Sequence, residues 1–380
     1  MNITTRLRLV RSVSVLAIVA APVCALFFAL VPSERANPAS AVVQTLSSAV
    51  VGADPILDKI DPAAVAGVMS CTKCHKSEIA ALNKSKHHSS DKLIQSGANI
   101  AKYAKAVGIK TADVLNNSLC VRCHATPQDT GAGVHSLGSV SCESCHGGAS
   151  GKPDAWLKLH ATENITDKQR AECDQAGMIR SSNIYAINKN CFQCHVVANE
   201  DLVNAGHPAS NKIELVGWSS GEVRHNFQVD QKVNAEAPSL WLKNNKGASA
   251  ENRRRVKFVV GVLVDLEVTL NNAQHAKAGR SDFVKGCAKR LKNSIGLLED
   301  ISDDLGGGTS ADILALQEAL KKLGKVTSSK IANIDAAKEA YPLAKAAAQS
   351  FETKFDGSEL KALDKLIKKE GKPKGTPYSP

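Results

Sequence analysis

Residues 71–88 read CTKCHKSEIAALNKSKHH. Cys71, Cys74 and His75 form one compact unit, and His87 and His88 follow a dozen residues later. The same five-residue unit recurs as CVRCH at 120–124, CESCH at 142–146 and CFQCH at 191–195. This is the attachment signature of c-type haem. Each part of the unit has a chemical task. The thiols of Cys71 and Cys74, Cys120 and Cys123, Cys142 and Cys145, and Cys191 and Cys194 add to haem vinyl groups as thioethers. The two-residue spacing lets one helical turn present both thiols. The adjacent His75, His124, His146 or His195 then lies under the ring as the proximal iron ligand. Zinc knuckles also use C-x-x-C pairs, but zinc does not need a histidine after every second cysteine. The sequence therefore implies four covalently attached haem c groups.

Each iron has a second axial face. Methionine is a poor source, because the chain has only Met1, Met69 and Met178. Eleven histidines less the four proximal ones leave seven: His87, His88, His135, His160, His207, His225 and His275. His87, His135, His160, His207 and His225 are the distal candidates. The segment KSEIAALNKSK has good helix formers and neither Gly nor Pro, so a helix is expected between His75 and His87. Twelve helical residues rise about 18 Å, whereas two axial nitrogens on one iron are about 4 Å apart. His87 should therefore serve a neighbouring haem. His88 points about 100° away from His87 on such a helix and is left to solvent or a propionate.

Four haems in the 125 residues from 71 to 195 leave about 31 residues each. That is too few to enclose each haem separately, so the haems should pack together as the core. Aromatic residues make up only 4% of the chain, which agrees with a core filled by cofactor.

The flanking segments read differently. Arg6, Arg8 and Arg11 precede an apolar run at 13–31, and ANPASA at 36–41 offers small residues for cleavage near Ala41. Residues 1–40 are thus a signal peptide or a single-helix membrane anchor. Cys24 lies inside the apolar run and does not read as a lipid-modified cysteine. Residues 41–65 are a linker, 66–250 the tetrahaem domain, 251–370 a helical domain and 371–380 a tail. Residues 201–250 look irregular. From 251 the pattern is strongly helical: Val256, Val260, Leu263, Leu266 and Leu270, then Val284, Cys287, Leu291, Ile295 and Leu298, recur at three- and four-residue steps. GGGTSAD at 306–312 breaks the chain and offers Thr309 or Ser310 as an N-cap. Ile313, Leu316, Leu320 and Leu323 continue the pattern, and later helices are expected over 329–354 and 358–369. No run alternates as a strand should. The fold class is mainly α: a multihaem core followed by a helical hairpin or bundle.

The net charge is +11. The excess lies in the N-terminal segment and along the helices of the last third. It reads as solvated helix faces and does not suggest a nucleic-acid partner. About two propionates per haem would offset much of it.

This arrangement resembles the tetrahaem cytochrome c-554 family over residues 66–200. The resemblance rests on CTKCHK with a histidine twelve residues on, on CVRCH, on GSVSCESCHGG followed by His160, and on a closing CFQCH. It implies that His87 is distal to the third haem (His146) and His160 to the first (His75). It also implies that the second haem (His124) is five-coordinate, and that His207 or His225 is distal to the fourth (His195). His135, or the spare downstream histidine, could instead cap the second haem. The resemblance leaves the helical last third unexplained. It implies a periplasmic carrier that transfers electrons between redox partner proteins and needs no catalytic residue. Two other roles remain: an enzyme acting on a small nitrogen oxide at an open iron beside His124, and a partner- or membrane-docking role for 251–370.

Overall fold

The computed structural model describes residues 60–150, 156–162, 165–209, 213–221, 223, 248–277, 279–307 and 310–375. The apolar run at 13–31, the expected cleavage region near Ala41, and His225 lie outside the described residues. Among the described residues no helix is long and apolar enough to cross a membrane.

The motif-bearing segment is made of short helices. In chain order they are α1 (Lys76–Leu82), α2 (Lys92–Gln95), α3 (Ile100–Ala106), α4 (Ser118–His124), α5 (Cys142–His146), α6 (Trp156–His160), α7 (Asp167–Gln175) and α8 (Ile184–His195). The second, third and fourth motifs each end a helix at their histidine. Local chemistry starts these helices. Asn117 accepts from the Leu119 amide at 2.9 Å to cap α4, and Asn183 accepts from the Ala186 amide at 3.0 Å to cap α8. Ser141 and Ser144 cap each other's backbone at α5.

The helix expected over 76–86 stops at Leu82. The Ser85 hydroxyl donates to the Leu82 carbonyl at 2.7 Å, so a local side-chain bond displaces the next helical turn. A separate 3-10 turn, Lys86–Ser89, then carries His87 and His88. One strand pairing departs from the expectation of no strands. β1 (Pro127–Asp129) pairs antiparallel with β2 (Val134–Ser136), with Gln128 opposite His135. Three residues per strand are too short to show an alternating pattern. The Asp129 carboxylate closes the turn by accepting from the Gly131 and Gly133 amides.

Within residues 201–250, expected to be irregular, lie most of α9 (Glu200–Asn204) and all of α10 (Leu215–Ser220). The last third is helical as expected: α11 (Ala250–Gln274), α12 (Asp282–Asp304), α13 (Ala311–Lys321), α14 (Ala337–Lys354) and α15 (Asp364–Glu370). Ser249, Ser281 and Ser310 cap α11, α12 and α13 through their hydroxyls. α14 begins at Ala337 rather than near 329, because an isolated bridge from Val326 to Ile331 holds the preceding turn extended.

The main apolar core lies among α11 to α15. It also takes in Ile184, Phe192 and Val196 of α8 and its end, and Val203, Ile213 and Val216 around α9 and α10. The fourth motif is therefore built into the bundle. Gly261 permits the close approach of α10, since a side-chain carbon there would lie 3.0 Å from Leu215 Cβ. Among the described residues the clusters around the other motifs are small, Ile94–Ala104–Val114–Val121–Ala125 and Ala149–Trp156–Cys173. Cys287 is a buried core residue, as expected. Cys173 is fully buried against Trp156, and both carry free thiols.

One carboxylate fastens α8 to the bundle. Glu352 on α14 accepts from the Ile184 and Tyr185 amides at 2.5 and 2.9 Å. Arg253, 7% exposed, lies 3.8 Å away and donates to the Ser182 carbonyl. Removing the carboxylate strands two amides and a buried cation. Glu352→Ala should lower stability by about 3 kcal/mol. Urea unfolding of the holoprotein reads this as a lower midpoint; an unchanged midpoint would show that the staple contributes nothing.

Candidate haem sites

Among the described residues, three pairs of histidine rings face each other at one spacing. His75 and His160 lie 6.0 Å apart between ring centres with planes 8° from parallel. His87 and His195 are 6.0 Å apart at 63°, and His124 and His207 are 6.1 Å apart at 75°. A transition metal sits roughly 2 Å from an imidazole nitrogen, and about 1 Å more reaches each ring centre, so an iron between two histidines predicts about 6 Å. Rings in direct contact could also reach this distance, but each pair here joins one proximal histidine to one distal candidate.

These pairings revise two implications of the resemblance. His87 faces His195 of the fourth motif, not His146. His207 faces His124, so the second motif has a histidine on its other side. His160 faces His75, as the resemblance implies. His87 can reach a different motif because the turn at Ser85 redirects the chain. His135 lies on β2 with Nδ1 3.4 Å from the Gly133 carbonyl and faces none of the four proximal rings in a described pair. His88 is exposed, and its carbonyl accepts from Ser139. His275 ends α11, with Nδ1 on the Asn271 carbonyl. Met69 is 76% exposed.

The hydrogen bonds also set which ring nitrogen is available. The Nδ1 of His146 is 2.8 Å from the Ile179 carbonyl, which can only accept. Nδ1 therefore carries the proton and Nε2 is left to bind metal. The Nδ1 of His207 lies 3.1 Å from the Pro208 carbonyl, with the same consequence. The ring of His124 bonds to the Ser90 backbone. Burial, then Arg180 and the facing His75, pushes His160 down to about 4. Burial, then His87 and Arg290, pushes His195 down to about 4. Both imidazoles are thus neutral near pH 7, as iron ligation requires.

The motifs also touch one another in a fixed order. The Cys71 thiol hydrogen-bonds the Cys142 thiol, which raises the first and lowers the second. Cys145 is pushed up to about 12, by burial and then by Cys191. Cys194 is raised by the hydrogen bond its thiol donates to Cys123, and its sulfur lies 3.7 Å from the Arg122 carbonyl. The motifs are therefore neighbours in the order first, third, fourth, second.

Residues that carry no haem chemistry hold this order, and the motif search did not single them out. Glu143, inside the third motif and 1% exposed, accepts from the Ala66, Gly67 and Ala149 amides at 2.7–2.9 Å. It pins the approach to the first motif onto the third. Gly147, at φ 88°, lets the Gly177 carbonyl come so close that a side-chain carbon would lie 2.3 Å from it. That brings Ile179 onto His146. Asn190 of α8 donates to the Ser144 and Cys145 carbonyls at 3.0 and 2.8 Å, joining the fourth motif to the third. Thr126, after the second motif, bonds Ser139 and Ser141 before the third.

The residues fit covalent haem. Paired thiols stand beside each histidine, and the ring-centre spacing of about 6 Å suits a metal between two imidazoles. Arg170 Nε is buried with no hydrogen-bond partner, and Arg170 and Arg180 both act on His160; such cations suit propionate carboxylates. Among the described residues no three or more His, Cys, Asp or Glu side chains converge as a bare metal-ion site.

Residues 70–147 match the family model described as cytochrome c554 and c-prime. The match takes in the first three motifs, and over that segment the chain is similar to this cytochrome family. No curated protein and no solved structure matches the chain.

The pairings make a specific prediction. In holoprotein, His160→Ala, His207→Ala and His87→Ala should each convert one low-spin haem to high spin, at the first, second and fourth motif respectively. Electron paramagnetic resonance counts the converted haems. A wholly low-spin His207→Ala protein would show that His207 does not ligate the second haem.

Proposed function

We propose that the chain is an exported four-haem c-type cytochrome that passes single electrons between redox partner proteins. The observation that carries this reading is the set of facing histidine pairs at a metal-sized spacing, joined through neighbouring motif thiols. When bound, haem supplies one-electron exchange at iron. The chain's part is to hold each iron between two neutral imidazoles, which favours low potentials and needs no substrate pocket.

The order first, third, fourth, second supports a continuous row of cofactors. Asn190, Thr126 and Glu143 tie the motif helices by short backbone contacts. Such ties limit reorganisation when charge moves. The scarcity of apolar side chains around the first three motifs supports a core completed by the haems themselves.

The third motif completes the set. Ile179 leaves His146 with Nε2 for iron. Two distal candidates remain for that haem, His135 and His225.

The alternative reading, reaction of a small nitrogen oxide at the His124 iron, needs an open face there. The His207 ring, 6.1 Å from that of His124, supports a closed face and favours the carrier. The basic N-terminal segment supports export, which suits thioether haem chemistry outside the cytoplasm. Whether that segment then serves as a membrane anchor does not alter the carrier reading.

Haem quantitation of the purified holoprotein should give four covalent haems per chain. The reduced protein should keep its spectrum unchanged under carbon monoxide. Fewer than four haems, or a carbon monoxide adduct in the unmodified chain, would contradict the closed four-haem carrier.

A further inference from the structure

The bundle presents one buried cation to the fourth motif. Arg290 of α12 has a side chain 7% exposed, and its guanidinium carbon lies 5.1 Å from the ring centre of Phe192, inside the motif. Its Nη2 donates to the Ile213 carbonyl at 3.3 Å, and its Nε donates to Asp265 of α11. Asp265 is in turn held by bundle side chains. The Ser294 hydroxyl donates to it at 2.6 Å and Thr269 at 3.2 Å. The ion pair is therefore an oriented dipole, with its positive end against the motif and its negative end tied into the bundle.

Stability gives little reason for this arrangement. A buried ion pair costs several kcal/mol per ion in desolvation, and apolar replacements are often as stable. A charge fixed in a low-dielectric site does act strongly on a neighbouring charge change. Reduction of ferric to ferrous haem adds one electron and removes one positive charge at the iron. A nearby cation favours the reduced state, and burial and second-shell charges are among the protein's controls on haem potential.

We propose that Arg290 raises the reduction potential of the haem held by Cys191, Cys194 and His195, making the bundle a potential-setting module for that haem. This rests on the haem reading given above. Arg290 acts through its place beside Phe192 and through its charge on His195. It would bias electron occupancy toward the fourth site, which lies between the third and second motifs.

The test is a spectropotentiometric titration of holoprotein, with the electrons supplied by a chemical reductant. Arg290→Met should shift one of the four components downward by about tenfold in its reduction equilibrium, equal to about 59 mV for one electron. Arg290→Lys keeps the charge and should stay close to the unmodified curve. Asp265→Asn removes the counter-anion and leaves the cation, so it should move the same component upward. Opposite shifts are the signature of charge, because loosened packing would move both variants the same way. Shifts in one direction, or no shift in either variant, overturn the proposal. If Arg290→Met does not accumulate, Asp265→Asn decides, and an unmoved or lowered component overturns it. An unmodified protein lacking four titrating haems would instead remove the four-haem reading itself.

Discussion

A flat cofactor can be held between two histidines only if the chain fixes a slot about 6 Å wide between their ring centres. The rest of the structure depends on that constraint. The two histidines of each slot come from distant parts of the sequence, such as His75 and His160 or His87 and His195. No short local element can set such a gap. It has to come from how the motif helices are fastened to one another and to the bundle.

Much of the fastening uses carboxylates and amides on backbone groups rather than apolar packing. Glu143 takes three amides and joins the first motif to the third. Asn190 takes two carbonyls and joins the third to the fourth. Glu352 takes two amides and joins the fourth to the bundle. The bonds to the two carboxylates are charge-assisted, hence short and directional. They suit a segment whose side chains supply little apolar core of their own. The bundle has an apolar core, and α8 shares it through Ile184 and Phe192. The helical last third, which the cytochrome resemblance does not explain, thereby gains a structural role: it anchors the fourth motif.

The sequence made some of this legible and hid the rest. The four C-x-x-C-H units, the supply of spare histidines and the three- and four-residue apolar steps of α11 to α13 are local patterns, and the structure bears out the helices they predict. Ser310 could be read as a cap because its role lies within one turn. The partner of each distal histidine could not be read, because it depends on contacts more than 80 residues apart, as for His124 with His207. The twelve-residue helical rise behind the reading of His87 does not hold, because the helix ends at Leu82, and the ring of His87 lies beside that of His195 in another motif. Ser85, which ends it, looks like any polar residue in a helix-forming run. Glu143 was hidden by lying inside a haem motif, where the two middle residues have no assigned task.

The central claim is that the three facing histidine pairs are axial pairs on three of four irons, whose motifs lie in the order first, third, fourth, second. Iron-edge anomalous diffraction from crystals of the holoprotein tests it most directly. The account predicts four iron peaks. Three should lie between His75 and His160, between His124 and His207, and between His87 and His195, with the iron of His146 between the first and fourth sites. Fewer than four peaks, or peaks lying outside these ring pairs, would contradict it.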